Sequence, residues 1–493
     1  MITAPEIAAP PRGHRAVLAV SCLALATVVA AVASLNVALP SIARETHGTQ
    51  TQLSWVIDAY ALVFAALLLP GGAIGDRYGR RRALLAGLAV FGAGSVAAMT
   101  AADINLLIGM RTVLGVGAAL VMPATLSTIT STFPGEQKAR AIGIWAGVAG
   151  ASAVLGLLAS GLLLEWWSWR AVFGLNVVLA LAAVAGVARF VPETSDPEAP
   201  GLDVVGVLFT VVGLGVLVYS IIEAPNAGWG SARTIGGMGA GVLVLAGFVG
   251  WELRHHAPLL DPRLFRHPAF AAGTLSITVQ FLAFFGFIFL VLQYLQLVRG
   301  DSPLIAAVSL LPMAAAMMPC ARLAPRVAAR VGARKVCVAG LALLTAGLLV
   351  LAQSGTTTAY WLLVCGLVPL GAGMGMAMTP ATAAITDALP RSKQGVGSAM
   401  NDLARELGGA LGIAVLGSIL QATYRAHLTS SDVANLPQPL ADKARSSLAL
   451  ASHLGVTHQA RLAFTDGMTT ALVFAAIAVA IAAVAVAALL RKR

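Results

Sequence analysis

Five ionisable side chains lie inside long apolar stretches of this sequence. They are Asp58, Arg111, Asp402, Arg405 and Glu406. A charged side chain at the centre of a bilayer costs about 2.5–3.5 kcal/mol on insertion scales, so each needs a partner or a function. The last three share one stripe of a helix, because residues three and four apart face the same side. Arg405 can neutralise one of the two acids on this stripe, which leaves the other acid able to take up a proton or a cation.

The same residues also have a purely structural interpretation. Asp58 and Arg111 are expected at similar depths in neighbouring segments, so they can form a buried ion pair that holds two helices together. The three residues of the later stripe can form a fully satisfied triad. In the functional interpretation the acids are sites for a proton or a cation, and an arginine beside a carboxylate adjusts its protonation. The sequence leaves both interpretations open.

The composition indicates that this chain is embedded in lipid. Of its 493 residues, 58% are hydrophobic and only 11% are charged, and its mean hydropathy is +0.86. Soluble domains carry about 25% charged residues, and a helix of about 20 apolar residues crosses the hydrocarbon core. We therefore predict an all-α integral membrane protein with fourteen spans. They are expected at 16–37, 53–74, 83–101, 105–127, 140–163, 170–190, 204–224, 236–252, 271–297, 303–320, 335–352, 359–386, 397–420 and 466–490.

The basic residues are distributed unevenly between the two sides of these spans. With the N-terminus inside, the inner loops and termini hold 22 of the 32 lysines and arginines. This bias predicts that both termini are cytoplasmic and that the protein lies in the plasma or inner membrane of the cell. The net charge of +11 is then a signal of topology, and nucleic acid is not an expected partner.

The sequence contains no recognisable signature of an enzyme or a metal protein. It has no G-x-x-x-x-G-K-[ST] motif for ATP, and its eight histidines and four cysteines follow no metal-ligand spacing. No serine or cysteine has a catalytic base nearby in sequence. We expect no enzymatic activity and no cofactor, with protons as the coupling ion.

The loop between the second and third spans is rich in glycine and arginine. Residues 72–82 read GAIGDRYGRRR. The pattern resembles the loop between helices 2 and 3 of the major facilitator superfamily, in which two six-helix bundles enclose a central cavity. This resemblance implies a conformational latch on the cytoplasmic side; the alternative is a loop that only sets topology. The latch residues would be Gly72, Asp76, Arg77, Gly79 and Arg80.

An internal repeat supports a duplicated architecture. Residues 325–340 align without gaps on residues 72–87, at an offset of 253. The matched pairs are Arg330 with Arg77, Gly332 with Gly79, Arg334 with Arg81 and Gly340 with Gly87, and Ala329 replaces Asp76. Duplication of six spans is the build of this superfamily.

The repeat divides the chain into three predicted domains. The first is a six-helix bundle at 1–203, and the second is an inserted pair of spans with a cytoplasmic linker at 204–270. The third is a six-helix bundle at 271–493, which carries an outer loop at 421–465.

Fourteen spans, rather than twelve, resemble the drug:proton antiporter branch of the superfamily. Four stretches resemble that branch in the expected order: LNVALP at 35–40, WVIDAYAL at 55–62, SWRAVFGLNV at 168–177 and SAMNDLARELGGALGIAVLGS at 398–418. The resemblance implies a role in proton coupling for Arg111 and for the acids Asp402 and Glu406.

Three departures from the branch bear on the coupling mechanism. Ala31 stands where the branch commonly has an acid, and Leu114 stands where its fourth helix has a glutamine. The fifth-helix antiporter motif, G-P-x-x-G-G in the branch, is replaced by GLLASG, with Leu157 at the proline position and Ser160 at the first glycine of the final pair. Whether antiport survives these changes is left open by the sequence.

The resemblance implies proton-coupled efflux of hydrophobic, cationic drugs or antibiotics by alternating access. Candidate substrate-binding residues are Asn36, Trp55, Tyr60, Gln280, Gln293, Tyr294 and Gln296, each of which could instead be a packing residue or an interfacial anchor. The alternatives are an uncoupled facilitator, a lipid or peptide exporter of the same fold, and a non-transporting membrane sensor. The expected partners are a small hydrophobic or cationic substrate, protons and membrane lipid, and the protein is expected to be a monomer.

Overall fold

Helices make up the regular structure of this protein. The computed structural model describes residues 12–196, 202–256, 258–389, 394–429 and 432–491, and these ranges contain no β-strand. Four of the basic residues used to predict the orientation, Arg391, Lys393, Lys492 and Arg493, lie outside the described residues.

Fourteen helical segments in the described ranges are long and apolar enough to cross a membrane, which confirms the predicted number. The helices of the first half are α1 (Arg12–Thr46), α2 (Gln50–Tyr78), α3 (Arg80–Met99), α4 (Ile104–Thr132), α5 (Gly135–Trp166) and α6 (Arg170–Phe190). The inserted helices are α7 (Val204–Ala227) and α8 (Ala232–Glu252). The second half contains α9 (Pro268–Gln293), α10 (Pro303–Val308), α11 (Leu311–Val331), α12 (Ala333–Leu351), α13 (Tyr360–Asp387), α14 (Gln394–His427), α15 (Gln438–Ser446), α16 (Leu448–His453) and α17 (Thr457–Leu489).

Most of the helices are longer than the apolar runs from which they were predicted. The first helix continues to Thr46, whereas its predicted span ended at residue 37, and α17 begins at Thr457 instead of residue 466. Backbone hydrogen bonding does not stop at the edge of the hydrocarbon, so the apolar run gives a lower bound on helix length. The predicted tenth span, 303–320, is a broken helix, because α10 ends at Val308 and α11 begins at Leu311, with Pro312 in its first turn.

An even number of spanning helices places the two ends of the chain on the same face of the membrane. We call the face where α1 begins and α17 ends the terminal face. The opposite face, where α1 ends at Thr46 and α2 begins at Gln50, is the distal face.

The helices form two bundles and an inserted pair. Helices α1–α6 contact one another, and so do α9, α11–α14 and α17. Helix α7 packs on α8 and also on α2 and α14, one from each bundle, and Ser418 Oγ donates to Ile221 O at 2.6 Å. Two bundles with an additional pair of helices are the architecture that the resemblance implied, while the predicted domain boundaries at 203 and 270 remain predictions.

The described residues of the predicted outer loop, 421–429 and 432–465, form a small helical cap on the distal face. Tyr424 Oη donates to Ala444 O at 2.9 Å, and Gln421 Nε2 donates to Arg445 O at 3.1 Å, so α15 is bound to α14 of the second bundle. Helix α16 contacts both α17 and α1. The cap therefore touches both bundles, an arrangement that the sequence did not predict.

Candidate functional site

A cavity of about 290 Å³ lies between the two bundles. Its wall is largely apolar and comes from both halves of the chain. The aromatic side chains are Phe64, Trp145, Phe281, Phe284 and Phe285, and the methionines are Met122, Met313, Met317, Met374 and Met378. Aromatic rings and flexible, polarisable thioethers are suited to hydrophobic ligands of varied shape.

Asn36, Arg405 and Glu406 place polar groups in this apolar wall. Asn36 Nδ2 donates to Val32 O at 3.1 Å, and Asn36 Oδ1 accepts no hydrogen bond from the described residues. One of the seven predicted substrate-binding residues, Asn36, therefore lies at the cavity together with two of the predicted coupling residues.

The packing of α14 on α9 sets the direction in which Arg405 points. Arg405, Gly408 and Gly412 lie on one stripe of α14, and a Cβ added to Gly412 would lie 2.1 Å from Leu282 O of α9. The close approach at this glycine presses the stripe against α9. The Arg405 guanidinium consequently lies 4.8 Å from the ring centre of Phe281, within the range of a cation–π interaction.

The two acids of the α14 stripe, Asp402 and Glu406, differ in their contacts. Arg405 Nη1 lies 3.7 Å from Asp402 Oδ1, whereas Glu406 makes no hydrogen bond or ion pair with any residue that the structure describes. Arg405 thus lies beside one acid of the stripe, and the other acid lines the cavity together with Arg405. The coupling role itself stays a prediction.

Asp58 and Arg111 do not form the ion pair that the sequence allowed. Arg111 Nε donates to Val56 O at 2.9 Å, and the guanidinium lies 4.3 Å from the ring centre of Tyr60. Val56 and Tyr60 share one face of α2, but Asp58 lies about 200° away around the helix axis. Asp58 is fully buried, and neither of its carboxylate oxygens has a partner among the described residues.

Tyr60 lies on α2, a helix of the first bundle that packs on the second bundle. Its ring contacts Arg111 of α4, and its own helix, α2, packs on α14, which carries Glu406. The hydroxyl has no hydrogen-bond partner among the described residues. Tyr60 thus occupies the junction between the bundles, although it is not part of the cavity wall.

The other predicted substrate-binding residues lie away from the cavity wall, and each donates a hydrogen bond to a protein atom. Trp55 Nε1 donates to Glu223 Oε1 at 3.4 Å, Gln280 to Ser276 O at 3.0 Å, Gln293 to Phe289 O at 2.9 Å, Tyr294 to Gly355 O at 2.8 Å and Gln296 to Val37 O at 2.9 Å. The amide oxygens of Gln280, Gln293 and Gln296 are buried and have no partner among the described residues. These contacts describe one conformation, and the binding roles remain predictions.

Contacts near the distal face join the two bundles. Gln296 of the second half donates to Val37 of the first, and Leu304 N donates to Glu165 Oε1 at 3.2 Å. Helices α1 and α5 of the first bundle are also tied together there, because Ser160 Oγ donates to Ser34 O at 2.7 Å. Ser160 belongs to the altered fifth-helix motif, and Leu157 of the same motif lines the cavity.

The predicted latch loop turns sharply at Gly79, where α2 ends and α3 begins. Gly79 has φ +119° and is buried, a backbone conformation that side chains rarely adopt. Asp76 Oδ1 accepts a hydrogen bond from Arg80 Nε at 2.8 Å across the turn. Gly72 lies on α2 itself, facing Pro123 of α4.

The chain that follows α6 folds over this turn. Arg80 N donates to Thr194 O at 2.9 Å, Arg81 N donates to Glu193 Oε1 at 3.1 Å, and Asp196 N donates to Asp76 O at 2.7 Å. The latch residues described here are thus attached within the first half of the chain. Whether they act as a latch stays a prediction.

Two sets of site residues were missed by the sequence analysis. Phe281, Phe284 and Phe285 have the i, i+3, i+4 spacing of a single helix face, and this signal was visible in the ninth span. Glu193 is an acid immediately beyond the sixth span, on the same face as the arginine-rich loop. Its contact with that loop required the tertiary structure.

Comparisons with known proteins agree with this architecture. The family model described as Major Facilitator Superfamily matches residues 21–413. The multidrug efflux pump LfrA of Mycolicibacterium smegmatis is 34% identical, with 97% of each chain covered. The multidrug resistance protein Stp of Mycobacterium tuberculosis is 35% identical over 82% of this chain and 76% of its own. The methyl viologen resistance protein SmvA of Salmonella typhimurium is 34% identical over 80% of each chain.

Solved structures show the same fold at lower identity. A bacterial homolog of the human lysosomal transporter Spinster, in an inward-facing and unoccupied conformation, has a TM-score of 0.71 at 16% identity. The match covers 98% of this chain and 99% of that one. Together with these relatives, the fourteen apolar helices of the described ranges make this a multi-pass protein of the cell membrane. The chain therefore belongs to the Major Facilitator Superfamily.

Proposed function

We propose that this protein exports hydrophobic, cationic drugs or antibiotics across the cell membrane in exchange for protons. The observation that carries the proposal is Glu406, an acid in an apolar cavity wall with no ion-pair partner among the described residues. A carboxylate in such surroundings is costly unless it is compensated. Either a proton or a cationic substrate compensates it, and competition between the two couples their movements.

The relatives support export and a cationic substrate. Several are named as multidrug efflux or resistance proteins, and one is named for resistance to methyl viologen, a compound with two permanent positive charges. The aromatic and methionine-rich wall suits the hydrophobic part of such molecules. Arg405 repels a cationic substrate only weakly, because the carboxylate of Asp402 beside it offsets its positive charge.

The arrangement of the two bundles around the cavity supports transport by alternating access. In the proposed cycle the distal contacts of Gln296 and Leu304 break as the bundles rock, and the cavity then opens to the distal face. We assign the terminal face to the cytoplasm, because the predicted inner loops and termini hold most of the basic residues. The monomer encloses the whole cavity, so a single chain is the proposed transport unit.

Proteoliposomes with an imposed pH gradient test the coupling. We expect the wild-type protein to drive accumulation of a permanently charged dye such as ethidium only when the gradient is present. Glu406→Gln should lose this dependence, because the amide cannot release a proton, while dye exchange without a gradient continues. Glu223→Gln is the matched control, since Glu223 binds Trp55 and Asn226 outside the cavity and should leave coupling intact.

Each other outcome assigns a different function. Full coupling in Glu406→Gln would exclude this acid as the exchange site. Equal dye movement with and without a gradient in the wild-type protein would show a facilitator, consistent with the altered motif at Leu157 and Ser160. No movement of any compound tested would favour a membrane sensor.

A further inference from the structure

A second group of buried acids lies outside the cavity, where α7 and α8 meet at the terminal face. Asp203 immediately precedes α7, and Glu252 is the last residue of α8. Their side chains belong to residues that are only 4% and 2% exposed. Neither acid takes part in the proposed transport site.

Asp203 uses its carboxylate to tie the two inserted helices together. Its Oδ1 accepts from Gly206 N at 2.9 Å and caps the start of α7. Its Oδ2 accepts from the indole Nε1 of Trp251, on α8, at 2.8 Å.

Glu252 is only partly satisfied. Its Oε2 accepts a long hydrogen bond from Leu260 N at 3.4 Å, in the linker that leads to α9. Its Oε1 is buried and has no partner among the described residues. A buried carboxylate oxygen without a donor is costly, so this atom is placed to receive a ligand or to carry a proton.

The two carboxylates converge on the same point. A Cβ added to Gly206 would lie 2.6 Å from Asp203 Oδ2 and 2.7 Å from Glu252 Oε1. The unsatisfied oxygen of Glu252 therefore faces Asp203 across a glycine that leaves the space between them open.

Few other charges face this pair. One titratable group beside the pair is His255, whose Nδ1 lies 3.8 Å from Asp203 Oδ2 and whose ring stacks on Trp251. The Arg263 guanidinium, from the linker, donates to Leu253 O instead. Among the described residues no lysine or arginine forms an ion pair with either acid, and no group of three or more ligands fits a metal ion.

We propose that Asp203 and Glu252 bind one proton between them, forming a proton site separate from Glu406. With the proton on Glu252 Oε1, this group donates to Asp203, and α7, α8 and the linker are held as one unit. When the proton leaves, two negative charges face each other in a poorly solvated site and repel. The linker into α9 is then released, so the degree to which the linker is ordered depends on pH at the terminal face. This proposal holds whether or not the protein is an antiporter.

Hydrogen exchange of the full-length protein in lipid nanodiscs, corrected for the intrinsic effect of pH on exchange, tests this site. In the wild-type protein we expect the protection of residues 258–267 to fall by roughly tenfold or more as pH rises through the release of the proton. Glu252→Gln carries a permanent donor and should keep the linker protected throughout the range. Asp203→Asn removes one charge but retains an oxygen for the cap of α7, and it should also abolish the pH dependence.

Two further variants, Glu223→Gln and His255→Gln, test whether the proton resides on the pair of Asp203 and Glu252. Glu223→Gln changes an acid near the opposite end of α7 and should leave the pH dependence unchanged. Protection that does not vary with pH in the wild-type protein would overturn the proposal. So would protection that varies with pH in Glu252→Gln and Asp203→Asn as strongly as in the wild-type protein. Loss of the dependence in His255→Gln but not in Glu252→Gln would place the proton on the imidazole and would overturn it as well.

Discussion

The turns at Gly79 and Gly332 have nearly the same backbone but different surroundings. Gly79 has φ 119° and ψ 125°, and Gly332 has φ 94° and ψ 139°. Each glycine joins two helices directly, and each N–H donates to the carbonyl four residues earlier. The repeat in the sequence is therefore also a repeat in local geometry.

The tertiary contacts of the two turns differ. Gly79 is buried, and an added Cβ would lie 2.5 Å from Glu193 Oε1, whereas Gly332 is exposed, with no atom within 4 Å of an added Cβ. The pair of Asp76 and Arg80 has no counterpart, because Ala329 and Ala333 occupy the equivalent positions. The first turn is thus fastened to the chain after α6, and the second presents its glycine to solvent.

The two copies of the motif therefore share the glycine that the backbone of the turn requires, but they do not share the side-chain contacts around it. A glycine is required in both turns because φ is positive in both. The attachments of the first turn depend on residues 191–196, which lie far away in sequence. The two halves can therefore differ in stiffness at the terminal face while they share one turn.

The largest expected effect comes from replacing the glycine of each turn. Gly79→Ala and Gly332→Ala should both carry the backbone cost of a positive φ, about 1–3 kcal/mol. Gly79→Ala should be the more destabilising, because its new methyl group also displaces Glu193. Thermal unfolding of the two variants in the same detergent measures the difference; equal losses would mean that the Glu193 contact gives the first turn no additional rigidity.

An intermediate effect is expected when the attachment of the first turn is removed. Glu193→Gln keeps the shape of the side chain but weakens the bond to Arg81 N and the approach to Arg82, whose Nε lies 3.6 Å from Glu193 Oε2. These groups are partly exposed, so we expect a loss of about 0.5–1 kcal/mol. Hydrogen exchange should increase at residues 79–82 and stay unchanged at 332–335; increased exchange at both turns would contradict a local attachment.

The smallest effect is expected when the pair of the first turn is built into the second. Ala329→Asp with Ala333→Arg places an acid and a base across Gly332 as Asp76 and Arg80 lie across Gly79. The gain should be about 0.2–0.5 kcal/mol and should disappear at high salt. Slower exchange at residues 330–334 checks it, and each single substitution serves as the control because it supplies only one partner.

Several features of the fold could be predicted because lipid imposes them locally. A spanning helix must be apolar over about 20 residues, so the number of spans could be counted from the sequence alone. The stripe of Asp402, Arg405 and Glu406 follows from helix periodicity in the same way. The match of Gly332 to Gly79 was visible in the sequence for the same reason, because it is a local repeat.

Predictions of side-chain contacts were less successful, because they depend on how each helix is rotated about its axis. Asp58 and Arg111 have similar depths but lie unpaired, because Arg111 approaches the face of α2 that carries Val56 and Tyr60. Six of the seven predicted substrate-binding residues lie away from the cavity wall in this conformation, while the phenylalanines of α9 line it. Sequence periodicity defines the faces of a helix but not the neighbour that each face meets.

The sequence by itself determined the family, the membrane environment, the number of spans and the identity of the few charged residues within them. These follow from composition, local spacing and the cost of charge in lipid. The tertiary structure alone decided which acid of the stripe Arg405 approaches, that Glu193 meets the turn at Gly79, and that Asp203 and Glu252 face each other. Such contacts join residues that are distant in sequence or depend on how helices pack, and close approaches such as Gly412 on Leu282 set that packing.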